Sequence, residues 1–349
     1  VSVSIRSRAR GCLLGGAMGD ALGAALEFRS LRDIRRDYGP SGPDHFVPAY
    51  GRSGAITDDT QMTLFTAEGL IRSYVRSAAK GISDSTTVIA NAYQRWLITQ
   101  GGHSTTLDSV DGWLSAVDAL HSRRAPGTTC LSALMSGETG TPGSGLNNSK
   151  GCGAVMRVAP VGLVMAEPFD VAVAAGAITH GHPSGYLAGG ALAEMIAVLV
   201  RGEDLRAAVA AGRTSLDGID RGDEVRDRLD QAIELAARGT PSPEDLETLG
   251  GGWTGEEALA IAVCAALRAE DIRHGLRVAV LHSGDSDSTG AICGNLLGAA
   301  CGEEVLPKDL LAELELADVI TRVADDLVDI CIEGRDLGTA ETWARYPGW

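Results

Sequence analysis

The chain is poor in aromatic residues, in positive charge and in strand-like alternation. Only 4% of its 349 residues are aromatic, with 4 Phe, 6 Tyr and 5 Trp, so its core must be built from small aliphatic side chains whose backbones approach closely. The 30 Lys and Arg stand against 46 Asp and Glu, a net charge of −16. That balance argues against stable binding to nucleic acid or anionic membrane, which needs clustered basic residues, and an anionic ligand would need local help. The seven cysteines, at 12, 130, 152, 264, 293, 301 and 331, form no CxxC pair, so neither a zinc knuckle nor a disulfide frame is expected. Reduced thiols imply a reducing compartment, read as cytoplasmic. No run of about 18 uncharged apolar residues offers a membrane span. The opening VSVSIRSRARGCLLGGAMGDALGAAL sets arginines before a short apolar stretch, as signal peptides do, but Asp20 and the lack of a Leu-rich centre count against that reading.

What the chain has is helical spacing and glycine. Leu64, Ala67, Leu70, Ile71 and Tyr74 follow ITDDT, and Leu187, Ala191, Glu194 and Met195 follow THGHPSG, both at the 3–4 residue interval of an amphipathic helix. An all-α fold is expected, with loops at the Gly, Pro, Ser and Thr clusters 39–56, 100–105, 124–129, 136–153, 239–243 and 250–255. The charged stretch 201–249 reads as solvated helices. Gly11, Gly15, Gly19 and Gly23 recur every four residues, and Gly290, Gly294, Gly298 and Gly302 repeat the interval near the other end. Each interior glycine costs about 0.5–1 kcal/mol relative to alanine, and close helix packing along i±4 rows is the plain reason to accept it. Length alone leans towards two domains. If the two ridges meet in one bundle, residues 1–349 form a single domain.

Two acidic stretches carry chemistry. In ITDDTQMTLFTAEGL, residues 56–70, Thr57 suits an N-cap, and Asp58 and Asp59 suit the first turn, where carboxylates meet the positive end of a helix. In HSGDSDSTGAICGNLLGAACG, residues 282–302, Asp285 and Asp287 precede a helix read as AICGNLLGAA. Capping alone accounts for either. Together they offer hydroxyls beside paired carboxylates, a donor set for hard cations. Were Asp58, Asp59, Asp285 and Asp287 to converge, each unpaired repulsion would cost about 1–4 kcal/mol, and two divalent cations would neutralise it. Metals about 3.5–4 Å apart serve hydrolysis at phosphorylated or glycosidic centres.

With these residues in view, the chain resembles the ADP-ribosylglycohydrolase family. The resemblance rests on GCLLGGAMGDALGAALEF (11–28), TDDTQMTLFTAEGL (57–70), RRAPGTTCLSAL (123–134), SKGCGAVMRVAPVGL (149–163), THGHPSGYLAGGALA (179–193), GGGWTGEEALAIAV (250–263) and HSGDSDSTGA (282–291), in that order along the chain. It implies a compact, single-domain orthogonal helical bundle with a metal-centred cleft. Two Mg²⁺, or Mn²⁺ in some members, would be held by Thr57, Asp58, Asp59, Asp285, Asp287 and Ser288. Glu27 would assist beside the metals as a carboxylate base or gate, with Asp20 as a buried polar support for the same region. Ser149, Lys150, Gly151, Gly153 and Met156 would belong to a phosphate and ribose loop whose backbone N–H groups receive a diphosphate, Lys150 adding charge. Cys152 stands where several relatives carry Asn. His180 would meet the distal ribose and Trp253 the adenosine side.

The activity implied is hydrolysis of the bond between ADP-ribose and a modified acceptor, with Asp58 and Asp59 orienting the attacking water. Ser288 after the second aspartate, with THGHP in the middle, resembles the arginine-specific branch. The expected partners are ADP-ribose and an ADP-ribosylated protein, and the expected state is a monomer. Two other readings stay open: a non-catalytic ADP-ribose or nucleotide-binding module, and a binuclear phosphohydrolase acting on another nucleotide.

Overall fold

The structure is a computed structural model, and it describes residues 3–107 and 109–348. The expected domain 1–349 thus includes residues 1, 2, 108 and 349, which lie outside the described residues. Among the described residues there are seventeen α-helices and no strand. The first six are α1 (Ile5–Gly23), α2 (Leu31–Tyr38), α3 (Asp58–Lys80), α4 (Ser85–Thr99), α5 (Thr128–Met135) and α6 (Ala159–Val164). The middle set is α7 (Pro168–Ala177), α8 (Pro183–Val200), α9 (Leu205–Thr214), α10 (Asp223–Ala237), α11 (Pro243–Glu247) and α12 (Gly255–Leu267). The chain closes with α13 (Ile272–Val280), α14 (Ser286–Cys301), α15 (Lys308–Glu313), α16 (Ala317–Asp326) and α17 (Ala340–Arg345). One apolar cluster runs from Ala9 to Tyr346, with a small satellite between α10 and α12; the protein is an all-helical single domain.

The two glycine ridges pack against each other. Gly11 faces Gly298 and Gly302, Gly15 faces Gly294, Gly19 faces Gly290, and Gly23 abuts the backbone of Ser286 and Asp287, so α1 and α14 run antiparallel with backbones in contact. A Cβ on Gly15 would stand 2.6 Å from the carbonyl oxygen of Gly294. The entropic cost of the glycines is offset by dispersion contact that no larger residue would permit. Helix α8 is long and apolar enough to cross a membrane, yet 89% of it is buried within the protein, as befits a core helix of the bundle.

Capping fixes where the functional helices begin. The Thr57 hydroxyl accepts from the Asp59 N–H at the start of α3, and Gly81 closes that helix in the left-handed region at φ 75°. Helix α14 starts earlier than its apolar residues suggest, because the Asp285 carboxylate caps the Ser288 N–H at 3.3 Å. Asp287 and Ser288 therefore lie within its first turn. The end of α1 and the starts of α3 and α14 meet at one end of the bundle.

Candidate active site

A cleft of about 360 Å³ opens at that end. Asp58 and Asp59 enter it from the first turn of α3, Asp285 and Asp287 from the start of α14, and Glu27 from the turn after α1. Oxygens of Glu27, Asp285 and Asp287 lie within 4.8 Å of one another, and Asp58 and Asp59 line the same cleft outside that trio. Beneath them Asp20 is fully buried. Its carboxylate accepts from the Thr57 N–H at 3.0 Å, the Thr57 hydroxyl at 2.8 Å, the Thr60 N–H at 3.1 Å and the Thr60 hydroxyl. It thereby ties α1 to the first turn of α3.

Five carboxylates face one space, and among the described residues no Lys or Arg lines it. Burial, and then the charge of Asp287, holds the carboxyl groups of Asp58, Asp59 and Asp285 well above the usual range. The same two causes push Glu27 up to about 10. Asp20 is raised to about 7 by burial and Asp287, against the pull of its threonine donors. Glu27 Oε2 and Asp59 Oδ1 are buried without a hydrogen-bond partner. Unpaired acid oxygens of this kind suit hard divalent cations, which would reverse the local repulsion.

Residues 2–336 match the ADP-ribosylglycohydrolase family profile. The chain belongs to the ADP-ribosylglycohydrolase family. It is 28% identical over 326 residues to the ADP-ribosyl-(dinitrogen reductase) glycohydrolase of Rhodospirillum rubrum, covering 90% of this chain and 92% of that one. It is 25% identical over 337 residues to the ADP-ribosylarginine hydrolase Tri1 of Pseudomonas putida, covering 92% and 78%. Among solved structures, an ADP-ribosylglycohydrolase-related protein complex superposes with a TM-score of 0.63 at 25% identity, covering 94% of this chain and 99% of that one.

In this member of the family the cleft wall includes Glu27, Asp58, Asp59, Gly151, Gly153, Met156, His180, Trp253, Asp285, Asp287 and Ser288. Thr57 stands just behind it, its hydroxyl turned to Asp20. Ser149 and Lys150 do not line it. The Lys150 ammonium, expected to serve an anionic ligand, instead pairs with Glu224 and, at 2.7 Å, with Glu256. The loop also offers fewer free N–H groups than expected, because Gly151 donates to Ser149 Oγ at 3.3 Å and Cys152 to the Trp253 carbonyl at 3.1 Å. The Cys152 bond, with that from the Gly255 N–H to the Lys150 carbonyl at 2.8 Å, holds the loop against the segment entering α12, so its form is set by the protein itself.

Three contributions are not evident from motif spacing alone. The Cys152 thiol donates to Asp285 Oδ2 at 2.7 Å, the Gly127 N–H donates to Asp58 Oδ2 at 3.3 Å, and Phe28 stacks on Trp253 with centroids 5.3 Å apart. Phe28 has φ 64° and is 71% exposed at the cleft mouth. Its signal in the sequence is an aromatic residue directly after Glu27 in a chain with 4 Phe.

Proposed function

We infer that this protein hydrolyses the glycosidic bond joining ADP-ribose to an acceptor, and that the acceptor is an arginine side chain of a protein. One observation carries the reading: five acidic side chains face a single cleft with no Lys or Arg among its described wall residues, and two of their buried oxygens lack a partner. The names of the Rhodospirillum and Pseudomonas relatives support a protein acceptor and an arginine acceptor respectively, and Ser288 after Asp287 agrees with the latter.

Thr57, Asp58, Asp59, Asp285, Asp287 and Ser288 would hold two Mg²⁺ or Mn²⁺ ions. When bound, such ions supply Lewis acidity that polarises ribose hydroxyls and makes water a better nucleophile. Asp58 and Asp59 orient the attacking water and accept its proton, and Glu27 completes the acidic wall. As the bond to the acceptor nitrogen breaks, positive charge develops on the ribose ring, and the surrounding carboxylates are complementary to it. The guanidine leaves with a proton, and ADP-ribose is released. His180 and Trp253 border the substrate.

The test is incubation of the purified protein with Mg²⁺ and ADP-ribosylated arginine, serine and nucleic-acid substrates. Release of ADP-ribose from the arginine substrate, lost in Asp285→Ala with the helical circular dichroism unchanged, is the expected result. Binding without release would favour a non-catalytic module, and phosphate release alone a phosphohydrolase.

A further inference from the structure

Arg157 is fully buried, and each hydrogen-bond partner it has among the described residues is neutral. Nη2 donates to the Thr179 hydroxyl at 2.7 Å and to the Ala175 carbonyl at 3.2 Å. Nη1 donates to Cys130 Sγ at 3.3 Å and to Met62 Sδ at 3.7 Å. The guanidinium lies 4.3 Å from the centre of the Tyr93 ring. A buried cation without a counter-ion is costly and calls for a reason. The Thr179 hydroxyl supplies it, because on its other side it lies 2.8 Å from Nδ1 of His180.

We propose that Arg157 and Thr179 are positioning residues that fix the tautomer of His180, placing its proton on Nε2 and presenting that N–H to an oxygen of the substrate. The direction of the chain follows from the chemistry of its members. Arginine has donors and no acceptor, so the bond to Thr179 runs from Arg157 and uses a lone pair of the hydroxyl. The hydroxyl proton is left free for Nδ1. The other acceptor beside it, Cys130 Sγ, is a weak one and already receives Arg157 Nη1. Nδ1 therefore accepts, and Nε2 carries the hydrogen.

Nε2 faces the cleft over the glycine loop. A Cβ on Gly151 would come within 3.3 Å of Nε2, and one on Gly153 within 3.0 Å of Cε1. Both glycines thus leave the imidazole room and leave its N–H open to a ligand. Such a donor meets an acceptor atom, a hydroxyl, ether or phosphate oxygen, and discriminates against an N–H at that point. The proposal rests on the reading that ADP-ribose occupies the cleft.

The experiment is long-range ¹H–¹⁵N NMR of the full chain labelled at histidine, with His180→Asn used for assignment. The expected spectrum at pH 7 shows an unprotonated Nδ1 and a protonated Nε2 for His180. Thr179→Val should change that pattern and weaken ADP-ribose binding about tenfold, the worth of one well-placed hydrogen bond, raising KM more than it lowers kcat. Thr179→Ser should restore both. A wild-type His180 protonated at Nδ1, or a Thr179→Val variant with an unchanged spectrum and affinity, would overturn the relay. A protein with the expected tautomer and no affinity for ADP-ribose leaves the relay standing and sinks the reading of function instead.

Discussion

Cys152 is the residue whose position says most about the acid cluster. Its thiol donates to Asp285 Oδ2 at 2.7 Å, and with the Ser288 N–H on Oδ1 it orients a carboxylate that its acidic neighbours repel. Residues that orient metal-binding carboxylates typically contribute 10–100-fold in metal affinity or activity. Cys152→Ala should therefore weaken Mg²⁺ binding by about tenfold in calorimetric titration, whereas Cys152→Ser, which keeps a donor, should stay near wild type. Equal affinities in the two variants would remove this role. At this scale the acids were legible, because Thr57-Asp58-Asp59 and Asp285-x-Asp287 place hydroxyls and carboxylates in short spans. The thiol was not, since nothing local pairs residue 152 with residue 285. Lys150 misleads for the converse reason: a lysine in a glycine loop reads as an anion site until its distant partners Glu224 and Glu256 are seen.

Among the elements, α1 and α14 show how far a periodicity can be read. Glycine at every fourth position announces a helix face that something approaches closely, but not that the two faces meet each other in antiparallel register. Their contact makes a sharp test. Gly15→Ala would drive a Cβ to 2.6 Å from the Gly294 carbonyl oxygen, where only backbone movement gives relief, so a loss of about 1–3 kcal/mol or more is expected in denaturant unfolding. Gly338→Ala, with nothing within 4 Å of the added carbon, should be neutral and serves as the control. A helix start is legible where the cap directly precedes the periodic residues, as Thr57 does for α3. For α14 the apolar periodicity points to a start that is too late, because Asp285 caps the helix ahead of the apolar residues on which the periodicity depends.

For the whole molecule the acid cluster sets a pH dependence. The carboxyl of Asp20 is raised to about 7 and that of Glu27 to about 10, above the roughly 3.9 and 4.3 of an unfolded chain. Between those limits the folded state holds protons that the unfolded state has released, so the metal-free protein loses stability as pH rises. Buried His180, lowered to about 3 by burial and the Arg157 charge, acts in the opposite sense below about pH 6.5, where unfolded histidine takes up a proton. The clean window is therefore about pH 6.5–8.5. There the metal-free melting temperature should fall with pH, and saturating Mg²⁺ should flatten the slope. A slope that ignores Mg²⁺ would detach the repulsion from any cation site. The fold class was legible from the helical spacing and the scarcity of alternation, whereas the cleft's shape depends on three chain segments meeting at one end.

The meeting of α1 with α14 also has a bearing on birth of the protein. The helix at 5–23 leaves the ribosome with its glycine face bare, and its partner follows only after some 263 further residues, on the order of 13–50 s at 5–20 residues per second. Until then neither the seam nor the acid pocket can exist. A nascent chain arrested before residue 286 should consequently be a client for chaperones rather than a smaller folded domain.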